Sequence, residues 1–199
     1  MNRESKEMTI ATYRDMFHKH GDSPEATGMS EEGHRFRFRK LMEIADLRNR
    51  RVLDLGCGIG AFYPYLLEQF GQVDYTGIDI VPDTIEHAAK KYPNARFLCR
   101  DLLTEGLDER FDYVLINTVF NYTMPEGDAF MQEFITKAFP YCTQGLGFNF
   151  LSTHLNYRDE GMAYHDPAQV LDFCIRNLTR KVVLHHHYER IDVAVFAYR

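Results

Sequence analysis

The sequence lacks an excess of basic residues. Of its 199 residues, 23 are Lys or Arg and 29 are Asp or Glu, which gives a formal net charge of −6. Proteins that bind nucleic acids draw much of their affinity from Lys and Arg side chains that neutralise phosphates. The acidic balance therefore argues against a free-standing nucleic-acid-binding protein.

Long apolar segments and paired cysteines are also missing. The longest nearly uncharged stretch, Gly145 to Leu155, is too short to span a bilayer, and Met1 to Glu7 is charged without an apolar core. The 4 cysteines are scattered and form no C-x-x-C pair, which fits neither a zinc site nor a disulfide scaffold. We expect a cytoplasmic protein with reduced thiols and no membrane segment.

Apolar β-rich runs alternate with segments of helical periodicity. Strands separated by helices favour right-handed crossovers and a parallel sheet covered on both faces. The last two runs are separated only by residues 188–191, too few for a crossover, so they must pair as a hairpin or leave the sheet. The sequence predicts an α/β, Rossmann-like, doubly wound and mostly parallel seven-stranded sheet with a C-terminal antiparallel hairpin. The predicted strands are Arg51–Leu55, Asp74–Ile80, Arg96–Arg100, Phe111–Asn117, Gly145–Ser152, Lys181–His186 and Asp192–Tyr198.

Local signals predict where several helices begin and end. Gly71 is predicted to end the helix after the first strand, because glycine readily adopts the left-handed conformation found at helix C-termini. Asp83 is predicted to cap the next helix, with Glu86 completing a capping box. Asp166 is predicted to cap the last helix, with Pro167 at its first position.

The segment before the first strand is longer than a simple nucleotide-binding unit requires. A helix is predicted over His34–Leu47 and an earlier one around Ile10–Phe17, with a glycine-containing segment, Gly21–Gly33, between them. We interpret residues 1–48 as a mobile helical cover over the carboxyl edge of the sheet, and residues 49–199 as the α/β core of the same single domain. The alternative is a helical hairpin that only packs on the sheet.

A glycine-rich turn follows the first strand directly. Gly56, Gly58 and Gly60 allow a sharp turn and the close approach of a ligand. The spacing Gly56-x-Gly58-x-x-Ala61 also satisfies a dinucleotide fingerprint, and Asp79 ends the second strand where a carboxylate binds ribose hydroxyls. Asp54 favours a cationic ligand, because a carboxylate beside the turn would repel a pyrophosphate.

These residues resemble the motifs of the class I S-adenosylmethionine-dependent methyltransferases. The first motif corresponds to Asp54-Leu55-Gly56-Cys57-Gly58-Ile59-Gly60, and the resemblance implies that Asp54 and the glycine backbone receive the amino-acid end of the cofactor. The second corresponds to Asp79 and Ile80, implying contacts with ribose and adenine.

The later motifs of this family also have counterparts. The third corresponds to Asp101 and Leu102, where the resemblance implies recognition of the adenine amino group, and the fourth ends at Asn117, facing the methionyl portion. Two further segments resemble an uncharacterised bacterial subgroup of small methyltransferases. They are Gly21-Asp22-Ser23-Pro24 and Asn149-Phe150-Leu151-Ser152-Thr153. In this subgroup Arg37 aligns with the helix that precedes the first strand. The alignment makes Arg37 a candidate partner for the cofactor carboxylate, because a guanidinium group can donate two parallel hydrogen bonds to a carboxylate. The alternative is an Arg37 on a solvated helix face.

Aromatic and polar residues near the expected crevice are candidates for acceptor chemistry. Tyr13, Phe17, Phe120 and Tyr122 would place rings near the sulfonium, or else belong to core packing. His154 is the candidate base, since an imidazole titrates near neutral pH, and its alternative is a structural hydrogen bond. Further substrate candidates are Asn121, Tyr157 and His165. No metal site is expected, because alternation separates the side chains of His185-His186-His187.

The resemblance therefore predicts a methyltransferase that uses S-adenosyl-L-methionine, releases S-adenosyl-L-homocysteine and methylates oxygen or nitrogen of a small-molecule acceptor. No nucleic-acid or membrane partner is expected. Two alternatives remain open: a non-catalytic S-adenosylmethionine-binding regulator or partner subunit, and an NAD-dependent oxidoreductase with the same fold.

Overall fold

The computed structural model describes residues 1–186 and 192–199. In chain order two N-terminal helices come first, and strands and helices then alternate over most of the chain. The helices are α1 (Arg3–His20), α2 (Glu31–Met42), α3 (Phe62–Phe70), α4 (Pro82–Lys91), α5 (Leu102–Glu105), α6 (Asp128–Ala138) and α7 (Pro167–Asn177), with short 3-10 turns at Pro24–Thr27 and Phe139–Tyr141. The strands are β1 (Arg51–Leu55), β2 (Asp74–Asp79), β3 (Arg96–Cys99), β4 (Phe111–Ile116), β5 (Cys142–Ser152), β6 (Tyr164–His165), β7 (Val182–His185) and β8 (Asp192–Tyr198).

The strands form one sheet in the order β3-β2-β1-β4-β5-β8-β7. The pairs from β3 through β5 are parallel, whereas β8 is antiparallel to both β5 and β7. The predicted Rossmann-like sheet and its C-terminal antiparallel pair are confirmed. The connection at 188–191 and His187 lie outside the described residues. The strand order reverses between β1 and β4, which makes a crevice at their carboxyl ends.

The sheet contains one strand that the sequence did not predict. Tyr164 and His165 form β6, which pairs in parallel with Leu151 and Ser152 of β5. Two residues are too few to show the alternation by which a strand is predicted. The seven-stranded prediction is therefore corrected to eight strands within the described residues.

Alternating side chains divide the core between the two faces of the sheet. Leu53 and Leu55 pack in the cluster that contains α6 and α7, whereas Val52, the neighbour of Leu53, packs in the cluster that contains α2 and α3. This alternation is the usual consequence of strand geometry. Both faces are thus covered by helices, as a mostly parallel sheet requires.

Two of the three predicted helix ends are confirmed. Gly71 has φ +78° and ends α3, and the Asp166 side chain accepts the Ala168 N–H at the start of α7. The Asp83 cap is wrong: α4 begins at Pro82, and no side chain caps it. Proline already sets the first helical position, so Asp83 lies inside the first turn.

The two N-terminal helices are attached to the core in different ways. In α2, which spans Glu31–Met42 rather than His34–Leu47, Phe38 and Leu41 are buried against the core. In α1 the one buried residue is Ser5, and the contacts of the helix with the core include ion pairs from Lys6 and Arg14. No helix of the described residues is long and apolar enough to cross a membrane.

Candidate active site

A cavity of about 270 Å³ lies where the strand order reverses. Its lining comes from α1, from the glycine turn after β1, from the ends of β2 and β3, and from the turn after β4. The helix α1 therefore forms one wall of a crevice at the carboxyl edge of the sheet. This is the position at which open α/β sheets bind ligands.

Gly56 and Gly58 of the glycine turn leave no room for a side chain. Gly56 has φ +78°, and a Cβ there would lie 2.4 Å from Cγ2 of Val119. Gly58 has φ +53°, and a Cβ there would lie 3.0 Å from Cγ2 of Thr27. The turn is thus contacted from one side by the segment after β4 and from the other by the N-terminal cover.

Asp79 connects the second strand to this turn. Its Oδ2 accepts the Gly58 N–H at 2.9 Å, and its Oδ1 accepts the Val81 N–H at 3.0 Å. Burial raises the pKa of Asp79, although the N–H bonds from Gly58 and Val81 oppose the shift. The carboxyl group therefore fixes the glycine turn and also lines the cavity.

Asp101 connects the third strand to α1. Its Oδ1 accepts the Leu103 N–H at 2.9 Å, and its Oδ2 accepts a hydrogen bond from Lys6 Nζ at 2.7 Å. Burial works to raise its pKa, but the Lys6 ammonium and the Leu103 N–H hold the pKa of Asp101 below its usual range. One end of the cover is thus bound to a carboxylate of the cavity wall.

The turn after β4 is held in an unusual conformation. Thr118 has φ +59°, which is rare for a β-branched residue. Its N–H donates to Asn149 Oδ1 at 2.6 Å, and Asn149 Nδ2 donates to Asn117 Oδ1 at 2.7 Å. The buried Asn149 of β5 therefore fixes both residues, and strain supported in this way is characteristic of functional sites.

Two tyrosines bring the cover and the core together over the cavity. The rings of Tyr13 from α1 and Tyr122 from the segment after β4 are perpendicular, with centroids 5.9 Å apart. Gly28 has φ +75°, and a Cβ there would lie 2.0 Å from Tyr122 Oη. Tyr122 also forms an antiparallel bridge with Met162. The loops after β4 and β5 and the cover thus meet at Tyr122.

Comparison with known proteins identifies the family of this chain. A family described as a methyltransferase domain matches residues 52–137. The protein named "Putative methyltransferase Rv1506c" from Mycobacterium tuberculosis is 31% identical over 147 residues, covering 69% of this chain and 86% of that protein. The chain belongs to the class I S-adenosylmethionine-dependent methyltransferases. The cofactor of this family is S-adenosylmethionine, and its product is S-adenosylhomocysteine.

Solved methyltransferases share the fold across nearly the whole chain. The magnesium protoporphyrin IX methyltransferase of Synechocystis PCC 6803, with bound S-adenosylhomocysteine, has a TM-score of 0.73 and 16% identity, covering 98% of this chain and 99% of that one. The N-methyltransferase NodS of Bradyrhizobium japonicum WM9 has a TM-score of 0.71 and 19% identity, covering 96% and 98%. Trans-aconitate 2-methyltransferase of Agrobacterium fabrum is 37% identical, but over only 40% of this chain and 32% of that protein.

Many of the residues that are predicted to contact the cofactor line the cavity. These are Tyr13, Gly56, Gly58, Asp79, Ile80, Asp101, Leu102 and Asn117. Sequence reasoning missed Thr27, Thr118 and Val119, which also line the cavity. The position of Thr27 depends on how the cover docks, which no local pattern reveals.

The first motif contributes less to the cavity wall than expected. Asp54 points away from it, because strand alternation turns its side chain toward Tyr75, whose hydroxyl donates to Asp54 Oδ2 at 2.7 Å. Cys57 is buried against Gly77, and Gly60 lies against the Phe97 ring. The structure therefore does not place these three residues in contact with the cavity.

Arg37 is bound to another side chain. Its Nη2 donates to Asp192 Oδ2 at 3.1 Å, and its Nε donates to Oδ1 of the same carboxylate. Both groups are largely buried, with side-chain exposures of 13% and 1%. Arg37 therefore forms the predicted bidentate pair with a carboxylate, but that carboxylate belongs to Asp192 at the start of β8 rather than to a cofactor.

Two predicted acceptor residues belong to the packed core. Phe120 is 2% exposed and packs against Phe130 and Phe134. His165 is hydrogen-bonded through Nδ1 to Asp128 at 2.6 Å and through Nε2 to the Phe120 carbonyl at 3.0 Å. These contacts give both side chains a structural role.

The remaining candidates also lie away from the cavity wall. Asn121 is buried, and Tyr157 is 61% exposed. Phe17 packs against His87, with ring centroids 5.3 Å apart. The His154 ring lies near His186, at 5.8 Å. The structure therefore does not bring the candidate base to the cavity.

Proposed function

We propose that this protein transfers the methyl group of S-adenosylmethionine to an oxygen or nitrogen atom of a small molecule. The observation that carries the proposal is the position of Asp79. Its carboxylate accepts hydrogen bonds from Gly58 and Val81, and the residue lines the cavity at the point where the strand order reverses. When bound, the cofactor supplies an electrophilic methyl group on a sulfonium. The protein then has to position two reactants and exclude water.

Each end of the cavity has residues suited to one part of this cofactor. Asp79 would accept hydrogen bonds from ribose hydroxyls, and Ile80 and Leu102 would contact the adenine ring. Asp101, together with Lys6, would bind the adenine edge, and Asn117 would face the methionyl portion. Their chemistry fits the cofactor, and all except Lys6 line the cavity.

A small acceptor is supported by the position of α1. This helix lies across the crevice and leaves a cavity of about 270 Å³ rather than an open groove. The acceptor cannot be carried over from relatives, since two that match 40% and 41% of this chain are named for trans-aconitate and for malonyl-[acyl-carrier protein].

We further propose that residues 1–48 cover the core of residues 49–199 in one domain. We also propose that the protein is cytoplasmic, which its 4 unpaired cysteines support.

Calorimetry tests the cofactor assignment. We expect wild-type protein to bind S-adenosylhomocysteine and not NAD. Asp79→Ala should abolish this binding, because it removes both the ribose acceptor and the support of the glycine turn. The matched control is Asp15→Ala, which changes an exposed carboxylate of α1 and should bind as wild type. Selective binding of NAD would contradict the proposal.

A further inference from the structure

Two side-chain amides form a short chain of hydrogen bonds at the carboxyl ends of β4 and β5. The chain begins at the Thr118 backbone N–H, which donates to Asn149 Oδ1 at 2.6 Å. It continues from Asn149 Nδ2 to Asn117 Oδ1 at 2.7 Å. Asn149 is 1% exposed and does not line the cavity, whereas Asn117 does. The chain therefore leads from a buried strand to the cavity wall.

The backbone N–H of Thr118 fixes the direction of the whole chain. A backbone N–H can only donate, so the Asn149 atom that faces it is the oxygen. The Asn149 NH2 group then faces Asn117, where only an oxygen can accept. Flipping either amide would bring two donors together, so the orientation of both is determined by the network. The Asn117 NH2 group is consequently turned away from Asn149.

Strand alternation explains how Asn149 reaches this position. Its neighbours Phe148 and Phe150 pack in the cluster that contains α6 and α7, so the Asn149 side chain leaves the opposite face of β5. Asn149 also supports the Thr118 backbone, whose φ of +59° is unfavourable for a β-branched residue. One buried amide thus holds a strained turn and sets the direction of the amide beside it.

The charged groups of the cavity wall include two cations, and both lie away from this amide pair. Arg100 follows β3, which is separated from β4 by β2 and β1 in the sheet. Three strand spacings correspond to roughly 14 Å. The Met1 ammonium donates to Glu133 of α6 at 3.0 Å. At the end of β4, the Asn117 NH2 group is therefore the side-chain donor that the amide chain supplies.

We propose that Asn149 is a positioning residue for cofactor binding, which directs the Asn117 NH2 group into the cavity to donate a hydrogen bond to the carboxylate at the amino-acid end of S-adenosylmethionine. This inference rests on the proposed function. The opposite orientation of Asn117 would present an oxygen, which repels a carboxylate. An N–H that donates to a charged acceptor forms one of the stronger hydrogen bonds.

Calorimetry with two ligands that differ at the amino-acid end tests the inference. S-adenosylhomocysteine has this end, whereas 5′-methylthioadenosine keeps the adenosine and the sulfur but lacks the amino and carboxyl groups. Asn117→Leu should weaken binding of S-adenosylhomocysteine about tenfold or more, the effect of a lost hydrogen bond to a charged group. It should leave the affinity for 5′-methylthioadenosine within about twofold of wild type.

Asn149→Leu tests the positioning role, because it changes a residue outside the cavity wall. It should weaken S-adenosylhomocysteine about three- to tenfold and 5′-methylthioadenosine less than about twofold. Asn149→Asp keeps the shape and the acceptor for Thr118 but opposes an oxygen to Asn117 Oδ1, so at pH 8 it should show the same selective loss. It replaces Asn149→Leu if that variant fails to fold. An equal loss for both ligands, or no loss, would overturn the inference.

A double variant shows whether Asn149 acts through Asn117. In the Asn117→Leu background, Asn149→Leu should add less than about twofold to the loss of S-adenosylhomocysteine affinity. A further loss as large as that of the single variant would overturn the inference, because Asn149 would then act independently. The control is Thr76→Val, which removes a buried acceptor of the Arg96 Nε hydrogen bond in β2 and should leave both affinities unchanged.

The two proposals fail separately. Equal affinities of the wild-type protein for the two ligands would overturn the role of the amide pair while leaving the cofactor assignment intact. Failure of the wild-type protein to bind S-adenosylhomocysteine would instead contradict the proposed function, and calorimetry detects it before any variant is made.

Discussion

Asp54 is a carboxyl group almost completely removed from solvent. Burial raises its pKa to about 7, against the opposing hydrogen bond from Tyr75. In the unfolded chain the value is about 3.9. The folded state therefore binds more protons than the unfolded state between about pH 4 and pH 7, and the stability contributed by protonated Asp54 is lost as the pH rises through about 7.

Asp54→Asn should remove this dependence while keeping an acceptor for the Tyr75 hydroxyl. One pKa unit corresponds to about 1.4 kcal/mol. Between about pH 4 and pH 8, the free energy of unfolding of the variant should increase relative to wild type by on the order of 2 to 4 kcal/mol. Urea denaturation at several pH values measures it. The exposed Asp15→Asn should follow the wild-type curve, and parallel curves for Asp54→Asn would show that Asp54 ionises normally.

At single residues, sequence reasoning located backbone positions better than side-chain directions. The motif spacing correctly brought Gly56, Gly58 and Asp79 to the cavity, because glycine turns and strand ends are set by local chain geometry. The motif spacing did not predict that the Asp54 side chain hydrogen-bonds to Tyr75, or that Phe120 is buried in the core. Those outcomes depend on neighbours distant in the chain.

The helix α1 has a single buried residue, Ser5. Its polar contacts include Lys6 with Asp101 and Arg14 with Asp83, at 2.7 and 3.0 Å. Ion pairs of this kind contribute about 0 to 1 kcal/mol each and are screened by salt. We therefore expect α1 to undock locally far more readily than α2, whose Phe38 and Leu41 are buried.

Hydrogen exchange measures this undocking. Lys6→Gln should speed amide exchange in α1 by up to roughly fivefold, the factor for about 1 kcal/mol. High salt should have the same effect on wild type, with no change in α7. Lys19→Gln, in the exposed last turn of α1, is the matched control. Equal exchange in Lys6→Gln and wild type would mean that the pair does not hold the helix.

Elements with many alternating or periodic residues were predictable, and short ones were not. The strands Arg51–Leu55 and Asp192–Tyr198 have the bounds that their apolar patterns predict. The strand β6 has two residues, so its pairing with β5 shows only in three dimensions. The start of α4 was misplaced because a cap was assigned to Asp83, whereas its carboxylate binds α1.

One buried ion pair connects distant parts of the whole molecule. Arg37 lies in the N-terminal cover and Asp192 begins the final strand, 155 positions away. Truncating one partner of a buried pair leaves the other charge uncompensated, which costs about 3 to 5 kcal/mol. Asp192→Ala should therefore lower the free energy of unfolding by about that amount, as measured by urea denaturation.

Replacing both partners separates this structural role from a role in cofactor binding. Arg37→Met combined with Asp192→Leu removes both charges while filling the space, so most of the stability lost in Asp192→Ala should return. The Arg37 guanidinium binds Asp192, and Arg37 does not line the cavity. S-adenosylhomocysteine should therefore bind the double variant within about threefold of wild type. A stable double variant that has lost this affinity would show instead that Arg37 leaves Asp192 to bind the cofactor carboxylate, and that the cover rearranges around the ligand.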